Sequence, residues 1–266
     1  MKKEFLDKID QYPIPSFKEI CRDIYQNSTP FPHIRLENLF STDLMENIVE
    51  NVYNIKDEYK WNKLCTKGND FSQFGKAAEV LTRYLVSDEW VNFVSELTGI
   101  DNLYADKSWY ASGINVEPRG SHLEPHTDFN FREGISWRMV NFLLFLSKDW
   151  KKKWGGQNEL GHQNPVYFKK DIKTLFGGEY VCDKKYNPDF NTAVIFSTSD
   201  ISYHGFGIVR CPEDQDRIVI TSYYYSKDNG PHLDVHHTTK YIGWDKRRKQ
   251  KEDYEKRRGT GFKELE

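Results

Sequence analysis

Through the first hundred residues the apolar positions recur with the period of a helix. From Thr42 they fall at Leu44, Ile48 and Val52, with Met45, Val49 and Tyr53 beside them, which predicts one apolar helix face. A second stretch, about 88–98, places Trp90, Phe93, Val94 and Leu97 on one face, with Gly99 as a stop signal. A further helix is expected around 73–86. Ser16 and Glu19 have the spacing of a capping box ahead of Ile20 and Ile24. Residues 30–37, Pro-Phe-Pro-His-Ile-Arg-Leu-Glu, alternate like a short strand behind prolines.

After Gly99 the pattern changes to short β-rich runs at 107–117, 135–146, 191–197 and 216–225, separated by Gly, Pro, Asn and Asp. Helices first and strands afterwards predict an α+β chain, with an antiparallel sheet or barrel and helices packed on one side. Residues 147–190 are polar and rich in Lys and Gly, so they read as a long insertion with little regular structure and a possible lid. Residues 244–258 form a charge run with Glu252–Lys256 and Asp253–Arg257 at helical spacing, which predicts a solvated helix. The expected organisation is a helical support region over 1–100, a core over 101–228 carrying the insertion 147–190, and a C-terminal extension over 229–266.

The 266 residues suit one large domain with an extension, and aromatic side chains, at 15%, supply core volume that a 38% hydrophobic content alone would not. A net charge of -2 gives no strong nucleic-acid signal. No apolar run approaches the roughly 18 residues of a membrane span. The N-terminus has no secretory h-region. The four cysteines, Cys21, Cys65, Cys182 and Cys211, are far apart and form no CxxC pair, so neither thiolate zinc nor a disulfide framework is expected. A reducing cytoplasm is the expected compartment.

The chemistry concentrates in Pro-His-Thr-Asp-Phe, 125–129. In a strand, residues i and i+2 share a face, so His126 and Asp128 would present an imidazole and a carboxylate side by side. His204, in Ser-Tyr-His-Gly-Phe-Gly after the apolar strand near Val194–Phe196, is the candidate third ligand. Two histidines and one carboxylate make the facial triad of non-haem iron(II). Arg217 follows, opening the run Arg-Ile-Val-Ile-Thr-Ser-Tyr-Tyr-Tyr, and residues 137–146 lead into Trp154-Gly155-Gly156.

On these features the stretch from about 103 to 226 resembles the catalytic core of the prolyl-4-hydroxylase-like branch of the 2-oxoglutarate/iron(II) oxygenases. That resemblance implies a double-stranded β-helix, or jelly-roll, core with N-terminal helices packed on one side. It implies that His126, Asp128 and His204 hold Fe(2+), and that Arg217 binds the distal carboxylate of 2-oxoglutarate. A guanidinium suits that task because it meets a carboxylate with two parallel hydrogen bonds. Its alternative is a strand-end arginine in a surface salt bridge. Thr221 or Tyr223 would add a hydroxyl to the same pocket. The reaction implied consumes O2 and 2-oxoglutarate, releases succinate and CO2, and hydroxylates an unactivated C–H bond of a peptide (prolyl) or small-molecule substrate.

The chain also departs from that branch. Prolyl hydroxylases often carry a tyrosine three residues before the first ligand, where Leu123 stands here. The missing cosubstrate contact would come from Tyr110, Arg138 or Asn141. After Gly155-Gly156 the usual apolar residue is replaced by Asn158, which would contact substrate or else mark a bulge or edge. Asp128 argues for hydroxylation over halogenation, since halogenating relatives carry a small residue there. His122, His162, His232, His236 and His237 show no paired carboxylate at matching spacing and read as surface or supporting residues. Two other readings stay open: a non-catalytic jelly-roll binding module, and a metal-dependent hydrolase using the same ligands.

Overall fold

The computed structural model describes residues 15–55, 71–132, 136–164, 179–230, 232 and 236–242. The periodic stretches fold as helices α1 (Pro15–Asn27), α2 (Thr42–Ile55), α3 (Gly75–Leu85) and α4 (Asp88–Thr98). In α4 the local signals agree. The Ser87 hydroxyl accepts from the Trp90 amide at 3.3 Å, Asp88 and Glu89 occupy the first turn, and Gly99 ends the helix in the left-handed region at φ 72°. Met45, Ile48, Val49 and Val52 of α2 are buried, as its spacing predicts. In α1, Ser16 lies inside the helix, and the buried face is Cys21 and Tyr25 while Ile20 and Ile24 are exposed.

The strands are β1 (His33–Glu37), β2 (Tyr104–Ala105), β3 (Gly113–Glu117), β4 (Leu123–Thr127), β5 (Phe131–Arg132) and β6 (Ser136–Phe145), then β7 (Asn158–Gln163), β8 (Tyr180–Tyr186), β9 (Thr192–Ser197), β10 (Tyr203–Phe206), β11 (Arg217–Ser226) and β12 (Lys240–Tyr241). A seven-stranded sheet runs β1-β9-β6-β11-β2, with β3 on β11 and β5 on β6. A five-stranded sheet runs β12-β4-β10-β7-β8. The two sheets form a jelly roll.

Alternation along β6 and β11 explains the layering. Val140, Phe142, Leu144, Ile218, Ile220 and Tyr224 pack outward into one cluster with Met45, Leu81 and Trp90 of the helices. The intervening Phe145 and Val219 pack inward with Phe196 and with Leu160 of the five-stranded sheet. Trp90 Nε1 donates to the Tyr224 hydroxyl at 2.5 Å, and that hydroxyl donates to the Leu85 carbonyl at 3.1 Å, so the helices are tied to the sheet by polar as well as apolar contact.

Two expectations are corrected. The insertion 147–190 holds a paired hairpin, β7 with β8, so its described part is sheet rather than irregular loop. β8 escaped the apolar pattern because it is an edge strand, half-exposed and carrying Lys184 and Lys185. The run 107–117 is a strand only from Gly113. Before it, the Asp106 carboxylate accepts from the amides of Ser108 at 2.9 Å and Tyr110 at 3.1 Å and closes a turn instead. Trp109 and Ala111 then take positive φ, which ends any extended run. The charged helix expected over 244–258 lies outside the described residues.

Asn191 locks β1 to the start of β9. Its φ is 54°, its Oδ1 accepts from the Phe40 amide at 3.0 Å, and its Nδ2 donates to the Phe40 carbonyl at 2.6 Å, all in a buried setting. Asn191→Ala leaves both backbone groups unmet and is expected to cost about 2–4 kcal/mol. Urea denaturation checks this as a lower midpoint at unchanged slope; an unshifted midpoint contradicts the assignment.

Candidate metal centre

β4 and β10 are hydrogen-bonded neighbours, and their register sets His126 directly opposite His204. The two rings lie with centroids 4.4 Å apart, both buried. Asp128, just past the end of β4, returns its carboxylate between them. Its Oδ1 is 3.6 Å from His126 Nε2 and its Oδ2 is 3.3 Å from His204 Nε2. One ligand atom from each residue falls within 4.8 Å of the other two. The sequence spacing i, i+2 therefore delivers what it promised, and the third ligand arrives by strand pairing.

The ring orientations are fixed from behind. His126 Nδ1 meets the Glu124 carbonyl at 2.8 Å, and His204 Nδ1 meets the Ser202 carbonyl at 3.0 Å. A carbonyl can only accept, so each Nδ1 carries the proton and each Nε2 presents a lone pair to the centre. Asp128 is held equally firmly. Asn141 Nδ2 donates to its Oδ2 at 2.6 Å, and Arg138 Nε donates to Asn141 Oδ1 at 2.9 Å. Arg138 Nη2 lies 3.2 Å from the same Oδ2 but off hydrogen-bond geometry, so that contact is charge attraction. Burial pushes the His126 pKa down, and neighbouring His204 adds to that. Burial alone would raise that of Asp128. The Arg138 charge beside it holds it well below the usual carboxylate range. An ionised carboxylate beside a neutral imidazole is the protonation state that a divalent cation requires.

Aromatic walls close the centre. Phe196 packs on His204 at 4.8 Å and Tyr241 on His126 at 5.2 Å. Arg217 is 2% exposed and lies on the inner face of β11. Its Nε donates to the Gly156 carbonyl at 2.8 Å, its Nη1 pairs with Glu117 of β3, and its guanidinium sits over the Phe206 ring at 4.1 Å. Phe206 is two residues from His204 along β10, roughly 7 Å by strand geometry, so Arg217 and the triad lie on the same inner face. Gly156, at φ 65°, permits this approach; a Cβ there would stand 3.2 Å from Arg217 Cδ. The surface salt bridge considered for Arg217 is excluded, since its ion pair is interior. Glu117 is missed by sequence reading. Burial raises its pKa against the pull of Arg217. Its only signal is inward alternation with Asn115 on the strand opposite Arg217.

The remaining candidates separate clearly. Arg138 and Asn141 touch Asp128, as described. Asn158 is buried, lies across from Phe206, and its Nδ2 has no partner among the described residues. Thr221 Oγ1 accepts from Asn115 at 3.4 Å. The Tyr223 hydroxyl donates to the Ala111 carbonyl, and its ring lies 3.3 Å from the Arg138 guanidinium carbon. Tyr110 is 55% exposed, edge-on to Phe129 and beneath Arg132, which puts it outside the inner cavity. The reading that none of the other histidines has a carboxylate at matching spacing is corrected at His122, whose exposed ring lies 3.9 Å from Glu124 two residues on. His232 and His237 share Asp200 at 3.3 and 2.7 Å, and His162 pairs with Asp183 at 2.7 Å. The partners of these three come from other segments, so no local spacing announces them.

The donor set fits iron(II), and the buried guanidinium fits a carboxylate of the keto acid. Residues 112–225 match the family model described as the 2OG-Fe(II) oxygenase superfamily. Solved structures share the fold. A prolyl 4-hydroxylase from Phytophthora capsici aligns at 14% identity and TM-score 0.55, over 80% of this chain and 64% of that one. A Trichoplax adhaerens prolyl hydroxylase, solved with a hypoxia inducible factor peptide fragment, aligns at 17% identity and TM-score 0.50, over 80% and 93% of the two chains. A 2OG-Fe(II) oxygenase family oxidoreductase from Burkholderia pseudomallei aligns at 11% and 0.50, over 80% and 91%. No curated protein sequence matches.

If Asn141 fixes the Asp128 carboxylate, Asn141→Ala weakens Mn(II) or Co(II) binding by about 10- to 100-fold, and Asp128→Ala weakens it further. Calorimetry on the apoprotein measures both; wild-type affinity in Asn141→Ala refutes the positioning role.

Proposed function

We propose that this chain is an iron(II)- and 2-oxoglutarate-dependent dioxygenase that hydroxylates an unactivated C–H bond of a peptide, prolyl, or small-molecule substrate, releasing succinate and CO2. One observation carries the reading: the ligand atoms of His126, Asp128 and His204 converge in the interior, and the buried Arg217 guanidinium rests on Phe206, two residues from His204. The two imidazoles and the carboxylate would hold the metal, and Arg217 the distal carboxylate of the cosubstrate. Bound iron(II) with the keto acid supplies dioxygen activation, coupled to oxidative decarboxylation.

The protein's own part is positioning and exclusion of water. The carbonyls of Glu124 and Ser202 fix the imidazole tautomers, and Asn141 fixes the carboxylate. Phe145, Phe196, Phe206 and Leu160 make the inner walls apolar, which strengthens every charge contact inside. The rim, where Tyr110 packs on Phe129 under Arg132, is where substrate would enter. A reducing cytoplasm as the compartment is part of the same proposal. The division into a helical support, a core and an extension at about residues 100 and 228 is part of the same proposal.

Anaerobic addition of iron(II) and 2-oxoglutarate is expected to give a visible metal-to-ligand charge-transfer band, and air with a substrate to yield succinate. A colourless mixture favours a binding module, and turnover that persists without oxygen favours a hydrolase. Arg217→Met keeps the apolar stem but removes the donors. It is expected to raise the KM for 2-oxoglutarate about 10- to 100-fold with metal affinity unchanged; an unaltered KM removes Arg217 from that role.

A further inference from the structure

Two of the five N–H donors of Arg217 are already committed. Its Nε is committed to the Gly156 carbonyl at 2.8 Å and its Nη1 to the Glu117 carboxylate. Either edge of the guanidinium that could grip a carboxylate with two parallel hydrogen bonds includes one of those atoms. Nη1 keeps one N–H and Nη2 keeps two, so a carboxylate arriving at either edge shares that edge with the Gly156 carbonyl or with Glu117. A carboxylate out of water has more acceptor sites than a shared edge fills, so a further donor stabilises it.

Asn158 is placed to be that donor. It is 3% exposed, and its Nδ2 has no hydrogen-bond partner among the described residues. A buried amide N–H without a partner costs stability, roughly 1–3 kcal/mol, and such groups are rare unless a ligand completes them. Its register partner across the β7–β10 pair is Phe206, the ring on which Arg217 rests at 4.1 Å. Gly156, whose carbonyl holds Arg217, is two residues away on the same segment. Asn158 is thus the strand neighbour of the ring on which Arg217 rests.

We infer that Asn158 donates a hydrogen bond to the distal carboxylate of the cosubstrate, beside the donors that Arg217 still offers. The inference rests on the oxygenase reading and refines it: Asn158 acts on the cosubstrate and not on the substrate to be oxidised. Glu117 has a defined part in this arrangement. It keeps Arg217 paired when no ligand is bound, and it fixes the direction in which Nη2 points.

The test uses metal-loaded, oxygen-free protein and two ligands, 2-oxoglutarate and 2-oxobutyrate, a keto acid without the distal carboxylate. In Asn158→Leu the 2-oxoglutarate dissociation constant by calorimetry is expected to rise about tenfold or more, and that for 2-oxobutyrate to stay as in the wild type. The melting temperature is expected to hold or rise, because an orphaned amide has been removed. Asn158→Asp, nearly isosteric, sets a carboxylate against a carboxylate and is expected to lose more affinity for 2-oxoglutarate than Asn158→Leu. Unchanged 2-oxoglutarate affinity in both variants, or an equal loss for both ligands, overturns the inference. So does a rise in the KM of the oxidised substrate alone. Failure of 2-oxoglutarate to bind the wild-type metal-loaded protein overturns the oxygenase reading instead, and so is distinguishable.

Discussion

The structure turns on keeping one carboxylate, Asp128, charged and motionless out of water. A buried carboxylate of this kind costs several kcal/mol in desolvation unless a countercharge and hydrogen bonds replace the solvent. Arg138 is that countercharge, and it has to be held in turn. Its guanidinium lies between the rings of Phe129 and Tyr223, and its Nε is tied through Asn141 to Asp128. Its carbonyl accepts from Thr198 at 2.7 Å and receives a ring nitrogen of His232 at 2.5 Å. His232 leads on to Asp200 and His237. The charge at the centre is therefore supported by a continuous polar network that crosses the inner face of the larger sheet and reaches the C-terminal segment.

Such a network inside a sheet needs the sheet itself to be rigid, and the helices provide this. α1 to α4 cover the outer face of β6 and β11, so outward positions such as Phe142, Ile220 and Tyr224 are wholly buried. That frees the inward positions of the same strands to carry polar groups. Asn141, Arg217 and Thr221 occupy inward positions by alternation, and Arg138 joins them because the β6–β11 pairing shifts register between Tyr224 and Tyr225. Separating the faces lets one strand serve packing and chemistry at once, because side-chain direction alternates by residue.

The same separation explains what could be read in the chain. The helices were legible from periodicity because an amphipathic face is a local property, as Met45, Ile48, Val49 and Val52 show. His126 and Asp128 were legible because i, i+2 in a strand is local too, and an ordered set of motifs added His204 and Arg217. Glu117, Asp200 and the β7–β8 hairpin were not. Glu117 meets Arg217 across a separation of 100 residues, and Asp200 collects His232 and His237 from another segment. Pairings of this kind are set by strand register, which a single sequence does not display. The hairpin was hidden for a different reason: its outer strand protects itself with lysines, and a protected edge looks like a loop.

Arg138 and Arg217 together show how the cavity handles charge. Each is almost fully buried, and each has a carboxylate of its own, Asp128 for one and Glu117 for the other. Neither is a bare cation in a low dielectric, so the ligand-free protein does not carry the large penalty of an unpaired buried charge. The same pairing limits what raw attraction can contribute to anion binding, because each guanidinium is already neutralised. Selectivity for a dicarboxylate must then come from where the unspent donors point. That shifts the chemical interest from the arginine, which the family pattern announces, to the side chains around it, where this chain departs from the pattern. Asn158, in place of an apolar residue after Gly155-Gly156, is the departure that lies inside the cavity.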